Sequence, residues 1–179
     1  MEVSALYHNT RPEWELLPQE KDVYDLLESL GIDYDRVSSE EADTMEKCDA
    51  VAAVLGVDIC KNLFLCNRQQ TLFYLLVMPP HKPFYTKDLS KQINSSRLSF
   101  APEDKLFELL RCTPGSATAL GLAFDTEKRV RFLVDREVFD APYFSCHPCI
   151  CTSSLKIAHD DFFGKFLGHI GRDYEIVEL

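Results

Sequence analysis

Leu72-Phe73-Tyr74-Leu75-Leu76-Val77-Met78 is the run that decides the fold. It is continuously apolar, rich in aromatic and branched residues, and closed by Pro79-Pro80, so it reads as a central strand covered on both faces. The run before it, Asp58 to Asn67, is an apolar strand entered through Lys61, and the Asn67-to-Gln70 turn pairs the two. Further upstream, Val23, Leu26, Leu27 and Leu30 recur at helical spacing after Pro18, with Gly31 as a stop. Ile32, Tyr34 and Val37 suggest a short strand. Ser38-Ser39-Glu40-Glu41 offers a cap for a second helix, Met45 to Leu55, that ends at Gly56.

Downstream, Thr86 to Ile93 is a short helix, Arg97 to Phe100 a short strand, and Ala101-Pro102-Glu103 opens a helix that ends near Arg111. Leu122-Ala123-Phe124 and Val130 to Asp135 read as strands, as do Phe144 to His147 and Cys151 to Ile157. Asp160 to Leu167 is a last amphipathic helix, and Tyr174 to Val177 closes as an edge or barrel strand. This order is mixed rather than alternating, which disfavours a parallel doubly wound sheet. The expected class is α+β: a mixed, curved sheet or pseudo-barrel flanked by helices.

The length of 179 residues suits one domain over 1–179. Hydrophobic residues at 46% against 27% charged fit a globular chain without low-complexity segments. No apolar run approaches the roughly 20 residues of a membrane span, and Met1 to Thr10 lacks a signal pattern, so a cytoplasmic location is expected. A net charge of −10 argues against generic coating of nucleic acid. Lys82, Lys87, Lys91 and Arg97 nevertheless recur with few acids between them, which leaves open a local basic surface or a solvated mixed-charge face.

Seven cysteines, an odd number without paired spacing, read as mostly free thiols. Cys146-His147-Pro148-Cys149-Ile150-Cys151 holds zinc-binding atom types, but ligands packed so closely around a proline do not converge easily on one ion. No metal and no cofactor are expected; Cys149 and Cys151 read as small buried residues on one face of a strand. Cys146 and His147, adjacent in sequence, point to opposite faces, which argues against a thiol–imidazole dyad.

Cys112-Thr113-Pro114-Gly115-Ser116-Ala117-Thr118-Ala119-Leu120-Gly121-Leu122 is either an ordinary turn or a binding loop. Pro114 fixes its own φ, Gly115 and Gly121 can take dihedrals closed to other residues, and the small side chains between them are expected to leave main-chain N–H groups uncovered.

Lys61-Asn62-Leu63-Phe64-Leu65, Arg97-Leu98-Ser99-Phe100-Ala101, Pro114-Gly115-Ser116-Ala117-Thr118, and His147-Pro148 before Thr152-Ser153-Ser154-Leu155 stand in the order and separation of one family. From about Leu16 to the carboxyl end the chain resembles the YbaK/ProX superfamily, the editing domains related to the one inserted in bacterial prolyl-tRNA synthetase. It is most similar to the free-standing ProXp-ala/PrdX branch. The resemblance implies a mixed α/β fold around a pseudo-barrel and hydrolysis, in trans, of the ester of mischarged tRNA(Pro), alanyl-tRNA(Pro) for that branch. It implies tRNA(Pro) and prolyl-tRNA synthetase as partners. Sister activities on cysteinyl-, seryl- or threonyl-tRNA, and a non-catalytic tRNA- or synthetase-binding module, are the alternatives.

By match to the motifs, Lys61 corresponds to the family's required lysine, Gly115 to Ala119 to its Gly-x-x-x-Pro carbonyl-holding loop, and His147 to the histidine near the aminoacyl pocket. Ala119 stands where that pattern has proline. The expected catalytic set is Lys61, Gly115, Ser116 and His147, with Ala117, Thr118 and Ala119 binding substrate and Lys82, Lys87 and Lys91 contacting phosphate. The chemistry fits: an ester hydrolysed through a tetrahedral oxyanion needs preorganised N–H donors, which a small-residue loop supplies, while Ser116 adds a hydroxyl and Lys61 a cation. Attack by water assisted by the terminal ribose hydroxyl replaces a protein nucleophile in this scheme.

Overall fold

In a computed structural model that describes residues 2–179, the apolar run forms β4 (Phe73–Met78), and every one of its residues is buried. β3 (Lys61–Asn67) lies antiparallel to it in the register Lys61↔Met78, Leu65↔Tyr74. Asn67 fastens the turn between them, its side-chain oxygen accepting from the N–H groups of Thr71 at 2.8 Å and Leu72 at 3.1 Å. β5 (Leu98–Phe100) adds antiparallel to β3, while β6 (Val130–Asp135) and β9 (Tyr174–Val177) add in parallel on the far side. The result is a mixed five-stranded sheet, order β5-β3-β4-β6-β9, with the decisive run at its centre and β9 at an edge.

A four-stranded antiparallel sheet of β1 (Tyr7–His8), β2 (Tyr34–Ser38), β8 (Ser153–Ala158) and β7 (Tyr143–Cys146), in that order, packs against it, and no closed barrel forms. Strand alternation sorts the larger sheet into two faces. Phe64, Phe73, Leu75, Val77 and Phe132 meet Tyr34, Phe144, Leu155 and Ile157 of the second sheet in the main core. Leu65, Tyr74, Leu76 and Leu133 turn the other way, onto Leu89 of α3 (Thr86–Gln92).

The long helices follow their punctuation. α1 (Pro18–Ser29) starts on its proline and is followed by Gly31 at φ +65°, and α2 (Met45–Leu55) stops at Gly56, φ +76°. The cap of α2 differs from expectation: Thr44, not Ser38 to Glu41, accepts the N–H of Lys47 at 3.3 Å. α4 (Glu103–Leu110) begins after Pro102 and ends at Arg111, φ +56°.

Three further expectations are corrected. Leu122 to Phe124 is not a strand; Ala119–Ala123 is a 3-10 helix capped by Thr118, with no neighbouring strand to pair. Asp160 to Leu167 is amphipathic but wound as a π-helix (Asp161–Phe166) running into α6 (Leu167–Ile170), a geometry that buries Phe162, Phe163 and Phe166 together. Cys149 and Cys151 lie in the loop between β7 and β8 rather than on a strand, Cys149 at φ +61°. Two short elements, β1 and the single-turn α5 (Arg136–Asp140), carry too few residues for a periodic signal.

Candidate active site

The loop from Cys112 to Ala119 leaves α4 and turns at Gly115, φ +84°, a conformation that side-chain-bearing residues rarely adopt. Ser116 holds this turn from inside. Its hydroxyl donates to the Thr113 carbonyl at 2.9 Å and accepts the Thr113 N–H at 2.9 Å, and the side chain is fully buried. The hydroxyl is therefore engaged within the loop instead of presented outward. Thr118 is likewise internal, its oxygen accepting the Leu120 N–H at 3.3 Å. Among the described residues the N–H groups of Gly115, Ala117, Thr118 and Ala119 donate to no protein acceptor. Thr118 and Ala119 are fully buried, contrary to the expectation of an uncovered loop, so the amides open to a substrate are those of Gly115 and Ala117; such donors, on a backbone fixed by side chains below it, suit an oxyanion.

His147 follows β7 and is buried. Its Nδ1 lies 2.8 Å from the Ser153 carbonyl, an acceptor only, so Nδ1 carries the proton and Nε2 is left with its lone pair. Burial lowers the imidazole pKa, and the bond to Ser153 opposes that without reversing it. The neutral ring is thus a hydrogen-bond acceptor at Nε2, the form in which it can receive a proton from water.

The two loops meet at their roots. The Cys112 thiol donates to the Leu110 carbonyl at 3.2 Å and the Cys149 thiol approaches the same oxygen at 3.9 Å. Contact with Cys112, then burial, pushes the Cys149 thiol pKa well up; burial also raises that of Cys146, and it pushes Cys60 up to about 11. These thiols stay protonated at neutral pH and are poor nucleophiles. Among the described residues no three His, Cys, Asp or Glu side chains converge as metal ligands.

Lys61 is placed apart. Alternation along β3 sends it, with Leu63 and Leu65, to the face that carries α3, whereas the glycine loop and His147 belong to the main-core side. Its ammonium donates to the Lys82 carbonyl and borders a groove of about 600 Å³ shared with Leu63, Phe84, Tyr85, Thr86, Lys87 and Phe100. The two sides meet at the start of β3, where the N–H of Cys60 donates to Ser145 Oγ at 3.0 Å. Of the other lysines, Lys82 is ion-paired with the buried Asp135 at 3.1 Å and with Glu137 at 2.9 Å, while Lys87 and Lys91 form no ion pair among the described residues. Tyr85 lies outside every motif of the sequence, and Phe100 stands within Arg97 to Ala101 without a role of its own. Their exposure, 63% and 65%, is what marks them.

A family model, the aminoacyl-tRNA editing domain, matches residues 39–164. The chain is 27% identical over 154 residues to the prolyl-tRNA editing protein ProX of Acetoanaerobium sticklandii, covering 86% of this chain and 93% of that one. It is 29% identical over 149 residues to prolyl-tRNA synthetase associated domain-containing protein 1 of Danio rerio, covering 82% and 80%. Its fold matches a solved structure described provisionally as a trans-editing enzyme for prolyl tRNA synthetase, with TM-score 0.65 and 15% identity over 92% of this chain and 98% of that one.

Proposed function

The chain belongs to the aminoacyl-tRNA editing domain family, and from that premise we propose that it is a trans-acting deacylase that hydrolyses mischarged tRNA(Pro), with alanyl-tRNA(Pro) as the preferred ester. The observation that carries this reading is the set of unengaged amides at Gly115 and Ala117, on a loop that shares the Leu110 carbonyl with the loop of a neutral His147 whose Nε2 is an acceptor. The names of ProX and of the zebrafish relative support tRNA(Pro) and its synthetase as partners.

In this mechanism the carbonyl oxygen of the ester lies toward the loop amides, which stabilise the oxyanion that forms as water attacks. His147 Nε2 orients that water, and the neighbouring ribose hydroxyl of the terminal adenosine assists, so no protein nucleophile is needed. Specificity comes from size: a pocket that admits alanine and clashes with proline protects the correctly charged tRNA.

The test is deacylation of alanyl-, cysteinyl-, seryl- and prolyl-tRNA(Pro) by wild type and His147→Ala, together with an alanyl substrate whose terminal ribose lacks the 2′-hydroxyl. Selective loss of the normal alanyl ester, dependent on His147 and nearly abolished without the hydroxyl, is expected. Cleavage of a different ester moves the protein to a sister activity. The second reading, a catalytically silent tRNA-binding module, draws on one observation: the Lys61 ammonium is bonded on the opposite face from the loop. Intact tRNA binding with no ester cleaved would establish it.

A further inference from the structure

We propose that the groove between Lys61, Tyr85, Lys87 and Phe100 is a base-stacking site for the unpaired 3′ end of an RNA. The inference rests on the tRNA reading above but concerns a different surface from the loop and His147. Two large rings stand far out of the core here, Tyr85 at 63% and Phe100 at 65% exposure, on either side of a groove of about 600 Å³. Such exposure costs solvation, and adjoining exposed rings on a soluble protein mark a contact surface.

Charge selects the occupant. The chain carries 29 acidic residues against 19 basic, yet among the described residues no carboxylate lines this groove and both charged residues that do, Lys61 and Lys87, are cations. A polyanion is attracted there and repelled by the molecule as a whole. Flat rings beside ammonium groups are the combination that holds single-stranded nucleic acid, the rings stacking on bases and the cations neutralising phosphates. The platform is rigid. The Tyr85 carbonyl accepts the Asp88 N–H at 3.1 Å at the start of α3, and Phe100 is paired with Leu65 in the sheet. The groove and the candidate site are joined through β3, since Lys61 follows Cys60, whose N–H is bonded to Ser145, two residues before His147.

The experiment measures binding of an uncharged RNA hairpin with an unpaired ACCA 3′ end, and of the same hairpin made blunt, by fluorescence anisotropy. Tyr85→Ala and Phe100→Ala should each weaken binding of the overhang RNA roughly 5- to 150-fold, the equivalent of one lost stacked base, and Phe100→Trp should keep it. Lys87→Met should lower the salt slope by about 0.7. Both rings are exposed, so the variants should fold, which circular dichroism checks. Unchanged affinity in both alanine variants, equal binding of the blunt hairpin, or ring-dependent binding to phosphatidylserine vesicles in place of RNA overturns the assignment. Ring-dependent RNA binding without hydrolysis of any ester would leave the groove standing and remove the deacylase. Hydrolysis by the Tyr85→Ala, Phe100→Ala double variant at the wild-type kcat/KM would do the reverse.

Discussion

Gly121 packs directly on Leu110: a Cβ at position 121 would lie 2.6 Å from the Leu110 carbonyl oxygen and 3.1 Å from its Cβ. That oxygen is the one both Cys112 and Cys149 thiols approach, so one backbone atom gathers α4, the glycine loop and the His147 loop. Gly121→Ala must push the 3-10 helix away from α4, and it is expected to destabilise the protein by about 1–3 kcal/mol in urea unfolding. Gly168→Ala is the control. No atom lies within 4 Å of its Cβ, it sits in α6, and it should gain about 0.5–1 kcal/mol.

His147 sets a pH dependence whose sign follows from burial. The native imidazole has a lowered pKa, while in the unfolded chain it titrates near 6.5. Below that value the unfolded state takes up a proton that the native state refuses, so the His147 contribution is complete above about pH 6.5 and is lost as pH falls toward the native value. Glu20 works in the opposite sense, because burial raises its pKa and its neutral form is favoured in the native state. The informative quantity is therefore the difference between wild type and His147→Gln, measured as unfolding free energy from pH 7.5 to 5. Wild type should lose stability faster on acidification; parallel curves would mean that the native imidazole titrates like the unfolded one, and a relative gain in stability that it is charged in the native protein.

Lys82 and Lys87 separate structure from recognition. Asp135 is fully buried, and apart from the N–H groups of Glu137 and Leu179 its partner is the Lys82 ammonium. Lys82→Met leaves that carboxylate without its countercharge and should cost about 3 kcal/mol of stability. Lys87→Met should leave stability within about 0.5 kcal/mol, as befits an exposed side chain without an ion pair, and weaken acceptor RNA instead. Thermal unfolding and RNA titration of the same two variants decide it.

The sequence was most legible where one rule acted alone. Continuous apolar residues from Phe73 to Met78 meant a strand buried on both faces, and Gly31 and Gly56 marked helix ends, because few other residues take a left-handed turn cheaply. It misled where tertiary contacts override local pattern. Leu122 to Phe124 has strand composition, but the close seat of Gly121 on α4 winds it into a 3-10 helix. At the site, the small residues of the loop suggested uncovered amides, but the fold buries Thr118 and Ala119, and nothing local told that the Ser116 hydroxyl turns inward to Thr113. The position of Lys61 depended on the face chosen by β3, fixed only by which core each residue enters. Tyr85 and Phe100 are ordinary aromatics until the fold leaves them uncovered.

Ala119 tests how the loop works. It is the first residue of the 3-10 helix, its N–H has no protein acceptor, and Thr118 before it is extended at φ −153°, ψ 147°, a conformation compatible with a following proline. Ala119→Pro therefore breaks no hydrogen bond and restricts the unfolded chain, but the site is fully buried and the ring must displace neighbours. These effects oppose each other, and the expected change in stability is within about 1 kcal/mol. Catalysis is the sharper readout, because proline deletes one candidate oxyanion donor, and loss of a true donor costs roughly 10²- to 10³-fold in kcat. With the Ala119 amide buried and the more open Gly115 and Ala117 still supplying N–H groups, the deacylation rate should stay within about threefold of wild type. A drop of two orders of magnitude in single-turnover deacylation, with unfolding unchanged, would instead assign the oxyanion to the Ala119 amide.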